Sequence, residues 1–318
     1  MFMAVDAHIT LLGPQRQPRL AHVVASLGLS DARFATINAG WREREPDDDL
    51  LSATLGGNTL NPRLWHRMQH VWDEDPELAR ADQQRRQVLE EMQELYLRRL
   101  DHAVSALTAL LQHSPRHTGV LDEAVRDAEE DVRGMDARHL ARVEEAYAEF
   151  WEQWKPHERE STARARDEIA ADLTQVQAVV LTGGHVGVLM GAMHLFNIAP
   201  ALEAPIIAWG AGAMVLTDTV VLFHDRAAHG PAIAEVYGNG LGLVKAAVAL
   251  PSARERLEVN NHARMGLLAR RFAPANALLL DTGVQVHVGY DGALPVGAPV
   301  LGPEGRTVHL TAVNGSVA

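Results

Sequence analysis

Apolar and polar positions follow two different periods along this chain, and the change of period divides it. Short apolar runs stand toward both ends: His8 to Leu12, Phe34 to Asn38, Ala178 to Leu181, Pro205 to Trp209 and Val220 to Phe223. Runs of this length, bounded by turn residues, predict strands buried on both faces. Helical patterns fall near 19–27, 186–197 and 212–217. Strands alternating with helices predict an α/β fold, a mostly parallel sheet sandwiched by helices. From about Ala277 the pattern becomes antiparallel-like, with strands at 278–281, 284–288 and 308–313 and a turn at Asp291-Gly292.

Between residues 73 and 173 the period is that of long amphipathic helices. Asp75 caps, Pro76 takes the first helical position, and apolar residues recur at Leu78, Val88, Met92, Leu95, Leu100, Ala103, Leu107 and Leu111 before Pro115. That pattern predicts a helix on the order of 55 Å long, a protruding arm. A second run begins at Leu121, breaks near Gly134, restarts behind Asp136 and carries Leu140, Val143, Tyr147, Phe150, Trp151 and Trp154 to Lys155-Pro156. A third piece, 158–173, leads out. The expectation is an acidic helical insertion, 73–173, folded as an antiparallel hairpin or small bundle and interrupting an α/β domain of 1–72 and 174–318. The aromatic cluster from Tyr147 to Trp154 either closes that bundle or forms a contact between copies, a homo-oligomer through the arm.

Charge and composition narrow the partners. The 318 residues carry 29 basic and 41 acidic side chains, and 73–170 alone hold 24 acidic against 14 basic. The excess reads as a solvated outer face, and the missing basic field argues against nucleic acid. The chain has no cysteine, which excludes disulfides, thiolate metal sites and a cysteine nucleophile. No apolar run reaches about 18 residues, so no membrane span is expected. Met1 to Thr10 lacks a basic region followed by an apolar stretch, and a cytoplasmic protein is the expectation.

Two glycine turns fall where strands end and helices begin: Thr182-Gly183-Gly184-His185 and Trp209-Gly210-Ala211-Gly212-Ala213. In an open α/β sheet, ligands collect beyond the carboxyl ends of the strands. The second turn has the form of a nucleophile elbow, in which a strained residue presents its side chain at the strand end. Leu181-Thr182-Gly183-Gly184, the following helix, Pro205 to Ala213, and Gly240-Leu241-Gly242-Leu243 together resemble the peptidase E–cyanophycinase family. The resemblance spans about 177–250 in motifs, with the N-terminal strands in general layout and the helical insertion outside it. It implies a class I glutamine amidotransferase-like fold and a serine hydrolase acting on peptide or isopeptide bonds near acidic residues.

The departures from that pattern decide the reading. The family's elbow reads Ser-Ala-Gly, and here Gly210 stands in the serine's place. The family's histidine follows the Gly-Leu-Gly-Leu segment, where this chain has Ala249-Leu250-Pro251-Ser252-Ala253-Arg254 and no histidine before His262. Glycine offers no oxygen to activate, yet it adopts an elbow's positive φ without a Cβ penalty. The expectation is a catalytically degenerate relative that binds a small anionic or peptide-like ligand at Gly183, Gly184, His185, Gly210, Ala211 and Gly212, or serves as an assembly subunit. The alternatives are an active hydrolase using repositioned His185, His224 or Ser252, with Asp218, Asp225, His229 and His262 nearby in sequence, and a scaffold oligomerising through the arm. Ser252 and Ser316 are the only serines after Gln177, and Ser316 lies in the terminal tail.

Other constellations carry less. His66 and His70 have the spacing of two imidazoles on one helical face, with Asp73 and Glu74 beside them, but Arg67 replaces the glutamate of a zinc motif. Trp41 to Asp49 is a mixed-charge loop at the same sheet edge, either a gate with arginines for an acidic ligand or a solvated loop. Gly56-Gly57-Asn58 lacks a phosphate-loop ending, and no dinucleotide fingerprint opens a helix. No metal and no cofactor is expected.

Overall fold

The computed structural model describes residues 8–15, 19–224 and 233–311. Its centre is a six-stranded sheet. Five parallel strands, β1 (Ile9–Leu12), β5 (Ile206–Trp209), β4 (Ala178–Leu181), β2 (Phe34–Ile37) and β3 (Thr59–Leu60), lie side by side in that order, and β10 (Gln285–Val288) closes the other edge antiparallel to β1. The central strands form because their residues are almost all apolar, Thr10 and Thr36 being buried among them, so both faces can be covered. Ala178 and Val180 point into a small core with Leu20, Val23 and Val24 of helix α1 (Leu20–Ser26). Val179 and Leu181 point into the main core with Leu189 and Met193 of α7 (Val186–Leu195) and Ala213 of α8 (Ala211–Val215). The fold is therefore α/β, with a sandwiched and mostly parallel sheet.

The C-terminal third departs from the sequence expectation. The run at 220–223 is not a further strand of the central sheet: β6 (Thr219–Leu222) pairs antiparallel with β7 (Glu235–Asn239) in a separate two-stranded ribbon. A second sheet is built from β8 (Ala247–Pro251), β9 (Asn276–Leu280), β11 (Pro299–Leu301) and β12 (Thr307–His309). In it β8 and β9 run parallel, joined by α9 (Ala253–Arg256) and α10 (His262–Phe272), so 278–281 is not wholly an antiparallel element. β12 is shorter than the run at 308–313, and residues 312–318 lie outside the described residues.

The long helices are present, with two corrections. α4 (Pro76–Leu111) starts as expected, Asp75 accepting from the Leu78 amide at 3.0 Å with Pro76 behind it. α5 (Thr118–Trp154) runs unbroken through Gly134 and Asp136 and ends at Lys155 in a left-handed conformation. A mid-helix glycine costs only about 1 kcal/mol. Asp136 is no cap; it is buried, and Arg271 of α10 reaches it with Nε at 2.7 Å and Nη2 at 2.9 Å. Tyr96 of α4 donates its hydroxyl to the same carboxylate at 2.7 Å and accepts from Arg271 at 3.0 Å. Tyr96 faces Asp136 while Arg85 faces Tyr147 and Phe150, so the two helices run antiparallel.

This network makes the hairpin less of an arm than its length suggests. Its base is fixed to β7 and α10, and only the stretch around 108–124 is broadly exposed. The body-facing side of α5 also meets α3 (Leu64–Glu74) and α7 across a cavity. α6 (Glu160–Leu173) returns the chain to β4, and Arg159 before it grips Asp75 at 2.8 Å. No helix among the described residues is long and apolar enough to cross a membrane.

Candidate functional site

Parallel register brings four strand ends to one edge, with Leu12 beside Trp209, Ala208 beside Leu181, and Leu181 beside Ile37. The chain segments leaving those ends meet. At the end of β5, Gly210 adopts φ 57°, ψ −127° and leads into α8. This is backbone that L side chains rarely adopt, and a Cβ there would lie 3.0 Å from Gly183 Cα. Gly212 has a different reason to be glycine. A Cβ on it would fall 2.3 Å from the Leu181 carbonyl oxygen, and its amide donates to Thr182 O at 2.9 Å.

The turn after β4 is locked to the turn after β2. Gly184 sits at φ 135°, and a Cβ on it would meet the Gly40 carbonyl carbon at 2.6 Å. The His185 amide donates to Gly40 O at 2.8 Å, and Trp41 Nε1 donates to Gly183 O at 3.0 Å. Arg42, which follows, is held at φ 58°, ψ −126°, the same region as Gly210 but with a side chain.

A cavity of about 640 Å³ opens beside these turns, lined by Gly183, Gly184, Gly210 and Ala211, with Gln15, Trp41, His224, Glu235, Ser252 and Arg256 around them. Four of the six sequence-predicted ligand residues therefore come together. Gly212 does not line the cavity, because it lies flat on Leu181. His185 does not line it either. Its Nδ1 accepts from the Val188 amide at 3.2 Å and caps α7, which turns the ring toward a second cavity. Burial, and then the positive charge of Arg42, hold the His185 pKa below the usual histidine value.

The two other acid–base or nucleophile candidates do reach the Gly210 cavity. Ser252 closes β8 in a left-handed conformation, φ 57°, ψ 41°, its amide donating to Leu280 O at 2.9 Å. His224 lines the wall just after β6. Arg256 lies 5.7 Å over the Phe223 ring at the same rim. Asp225 and His229 lie outside the described residues, as does Ser316. Asp218 instead accepts from the Ala246 amide at 2.8 Å.

Sequence reasoning missed Glu235. It stands at the start of β7, lines the cavity, and accepts from Gln93 Nε2 at 2.7 Å. Burial pushes its carboxyl above the usual range, against the lowering effect of Gln93. The signal in the sequence was faint: a charged residue opening an alternating stretch, Glu235-Val236-Tyr237. The second cavity, about 790 Å³, was also missed. It lies between the α4–α5 hairpin and the body, and Tyr147, Phe150 and Trp151 help to line it, so these aromatics neither simply close a bundle nor stand free on the surface.

The remaining constellations turn out to be structural. Glu45, fully buried, accepts from the amides of Trp65 at 3.1 Å and His66 at 3.0 Å and from His66 Nδ1 at 2.9 Å. It thus satisfies the start of α3, where a helix leaves amides unpaired. His70 Nε2 lies 3.1 Å from Glu74, so the two imidazoles are directed at different carboxylates. The loop 41–49 is tied down by Asp48, which accepts from Thr36 and Asn61, while its Trp41 lines the Gly210 cavity and its Arg42 the second one.

No family model matches the chain, and no curated protein matches it. Among solved structures it is similar to a peptidase from an acI-B1 Actinobacterium, with 15% identity and a TM-score of 0.30 over 51% of this chain and 75% of that one.

Proposed function

We propose that the chain is a catalytically degenerate relative of peptidase E–cyanophycinase-type serine hydrolases, which binds a small anionic or peptide-like ligand beside Gly210. In this reading the α/β part, 1–72 and 174–318, has the amidotransferase-like layout and carries the ligand site, and the helical segment 73–173 roofs it. One observation carries the reading: a residue with the backbone of an elbow, φ 57°, ψ −127°, lines a cavity of about 640 Å³ and has no side chain. Gly183, Gly184 and Ala211 belong to the same lining, and backbone amides at such turns suit a carboxylate or carbonyl oxygen. Arg256 adds a positive charge at the rim.

The test has two parts. Titration calorimetry with N-acetylglycyl-alanine, an anionic peptide-like probe, is expected to give saturable binding that Gly210→Val abolishes. Incubation with aspartyl dipeptides and isopeptides is expected to give no turnover. Binding unaffected by Gly210→Val would refute the proposed site.

A second reading is favoured by one specific fact: Ser252 and His224 line the same cavity as Gly210. In that reading Ser252 is a relocated nucleophile and His224 its base, acting on a peptide or amide bond. Turnover of an aspartyl dipeptide that is lost in both Ser252→Ala and His224→Ala would establish it in place of the first.

A further inference from the structure

The Gly210 cavity does not end at its own walls. Two residues, Leu97 and Glu235, line both it and the 790 Å³ chamber under the hairpin. Leu97 lies one helical turn beyond Gln93 on α4, and Gln93 holds the Glu235 carboxylate at 2.7 Å. Leu97 of the hairpin and Glu235 of β7 therefore stand between the two spaces. Val186 lines the first space and Gly187 the second, so the start of α7 runs along both.

The chamber differs in character from the cavity it adjoins. Its lining includes Trp65 and Trp72 from α3, Tyr147 and Trp151 from α5, and Tyr237 from β7. Most of its charged side chains are paired within the fold, Arg42 and Glu90 standing exposed. Arg85 and Arg86 both pair with Asp82, Glu94 pairs with Arg98, and the Arg85 guanidinium lies 4.4 Å over both the Tyr147 and Phe150 rings. Burial and the positive charge of Arg42 lower the His185 pKa and so favour its uncharged form. A space lined in this way favours an uncharged planar group, which gains by leaving water and by stacking on rings.

Building on the reading of Gly210 as a ligand site, we propose that the hairpin chamber is its specificity subsite. The ligand is then elongated, with a polar carboxylate or carbonyl head at Gly210 and an uncharged aromatic group passing Leu97 into the chamber.

The test compares N-acetylglycyl-alanine with N-acetylglycyl-phenylalanine by titration calorimetry on the full chain, on Leu97→Trp, which narrows the passage, and on Trp72→Ala, which removes a chamber wall. The expected result is binding of the phenylalanyl peptide at least about tenfold tighter in the unaltered chain. Both substitutions should reduce that ratio to within about threefold, and Trp72→Ala, whose side chain lines only the chamber, should leave the alanyl peptide's affinity unchanged. Equal affinity for the two peptides overturns the subsite and leaves the Gly210 site standing. A preference that neither substitution alters places the aromatic group elsewhere and overturns it as well. Binding of neither peptide overturns the Gly210 site and the subsite together. Should Leu97→Trp fail to fold by circular dichroism, Trp72→Ala decides alone.

Discussion

Alanine substitution of the three glycines around the elbow should produce a graded loss of stability, because each would place its Cβ in different surroundings. At Gly183 the nearest atoms to a Cβ would be Trp209 Cδ1 at 3.7 Å and Gly210 Cα at 3.8 Å, ordinary contacts. Gly183→Ala should cost less than about 1 kcal/mol. At Gly210 the Cβ would stand 3.0 Å from Gly183 Cα, on backbone at φ 57°, ψ −127°. A side chain in that region costs on the order of 1–3 kcal/mol. The contact is tight and meets backbone that Trp41 helps to hold, so Gly210→Ala should fall in the upper part of that range. At Gly212 the Cβ would overlap the Leu181 carbonyl oxygen at 2.3 Å, and only separation of α8 from β4 relieves it. Gly212→Ala should therefore lose about 3 kcal/mol or more, at or above the top of the usual overpacking range.

Urea unfolding read by circular dichroism and by tryptophan fluorescence measures the series, coincidence of the two transitions establishing two-state behaviour. Gly191→Ala serves as the control. It lies within α7 with nothing within 4 Å of its Cβ, and should stabilise by roughly 0.5–1 kcal/mol. A Gly210→Ala protein as stable as the unaltered chain would refute the reasoning, since the turn would then be free to take an ordinary conformation. So would a Gly212→Ala loss smaller than that at Gly210.

Three further outcomes follow from buried polar groups. Arg271→Met leaves the buried Asp136 carboxylate without its guanidinium and should cost about 3–5 kcal/mol, a fall in Tm on the order of 10 °C by scanning calorimetry; the added Asp136→Leu should restore much of it. Burial holds His139 and His194 below the usual histidine value, so their contribution to stability is present above about pH 6.5 and is lost as pH falls through their folded values. Tm should drop on acidification below that point, with a slope of at most about 1.4 kcal/mol per pH unit for each histidine, and His139→Gln should flatten it. Glu45→Ala should lower stability by about 1–2 kcal/mol by leaving the α3 amides unpaired, and thermal melting should show it.

The strands were legible because nothing but burial determines them. Ala178 to Leu181 and Ile206 to Trp209 are apolar at every position, and parallel pairing follows from the helices between them. β8 was not read, since Ala247-Val248-Ala249-Leu250-Pro251 is as compatible with a helix or loop as with a strand. Asp136 misled because an acidic residue after a glycine looks like a restart. Its partner Arg271 stands 135 residues away, and no local pattern joins them. At the site, strand–glycine–helix junctions were enough to find Gly183, Gly184, Gly210 and Ala211. They could not tell which way the next residue turns, and at His185 and Gly212 that single step moves the residue out of the cavity. Glu235 and the chamber arise from packing of the ribbon and hairpin on the body, which periodicity does not encode.

The elbow-like turn and the cavity beside it have different causes, and only one bears on function. The turn at Gly210 is required by packing: Gly212 lies against the Leu181 carbonyl and donates to Thr182, so α8 cannot sit on β4 unless the chain reverses sharply just before it. That demand holds whether or not a nucleophile was ever present. The cavity beside it has no such requirement. Its walls at Trp41, Leu97 and Leu222 are apolar. Yet about 640 Å³ stands open among Gln15, His224, Ser252 and Arg256, and the hairpin roofs the adjoining space without filling it. Polar groups gathered around open space at the strand ends, rather than the bend that packing enforces, are the ground for proposing a ligand at this edge of the sheet.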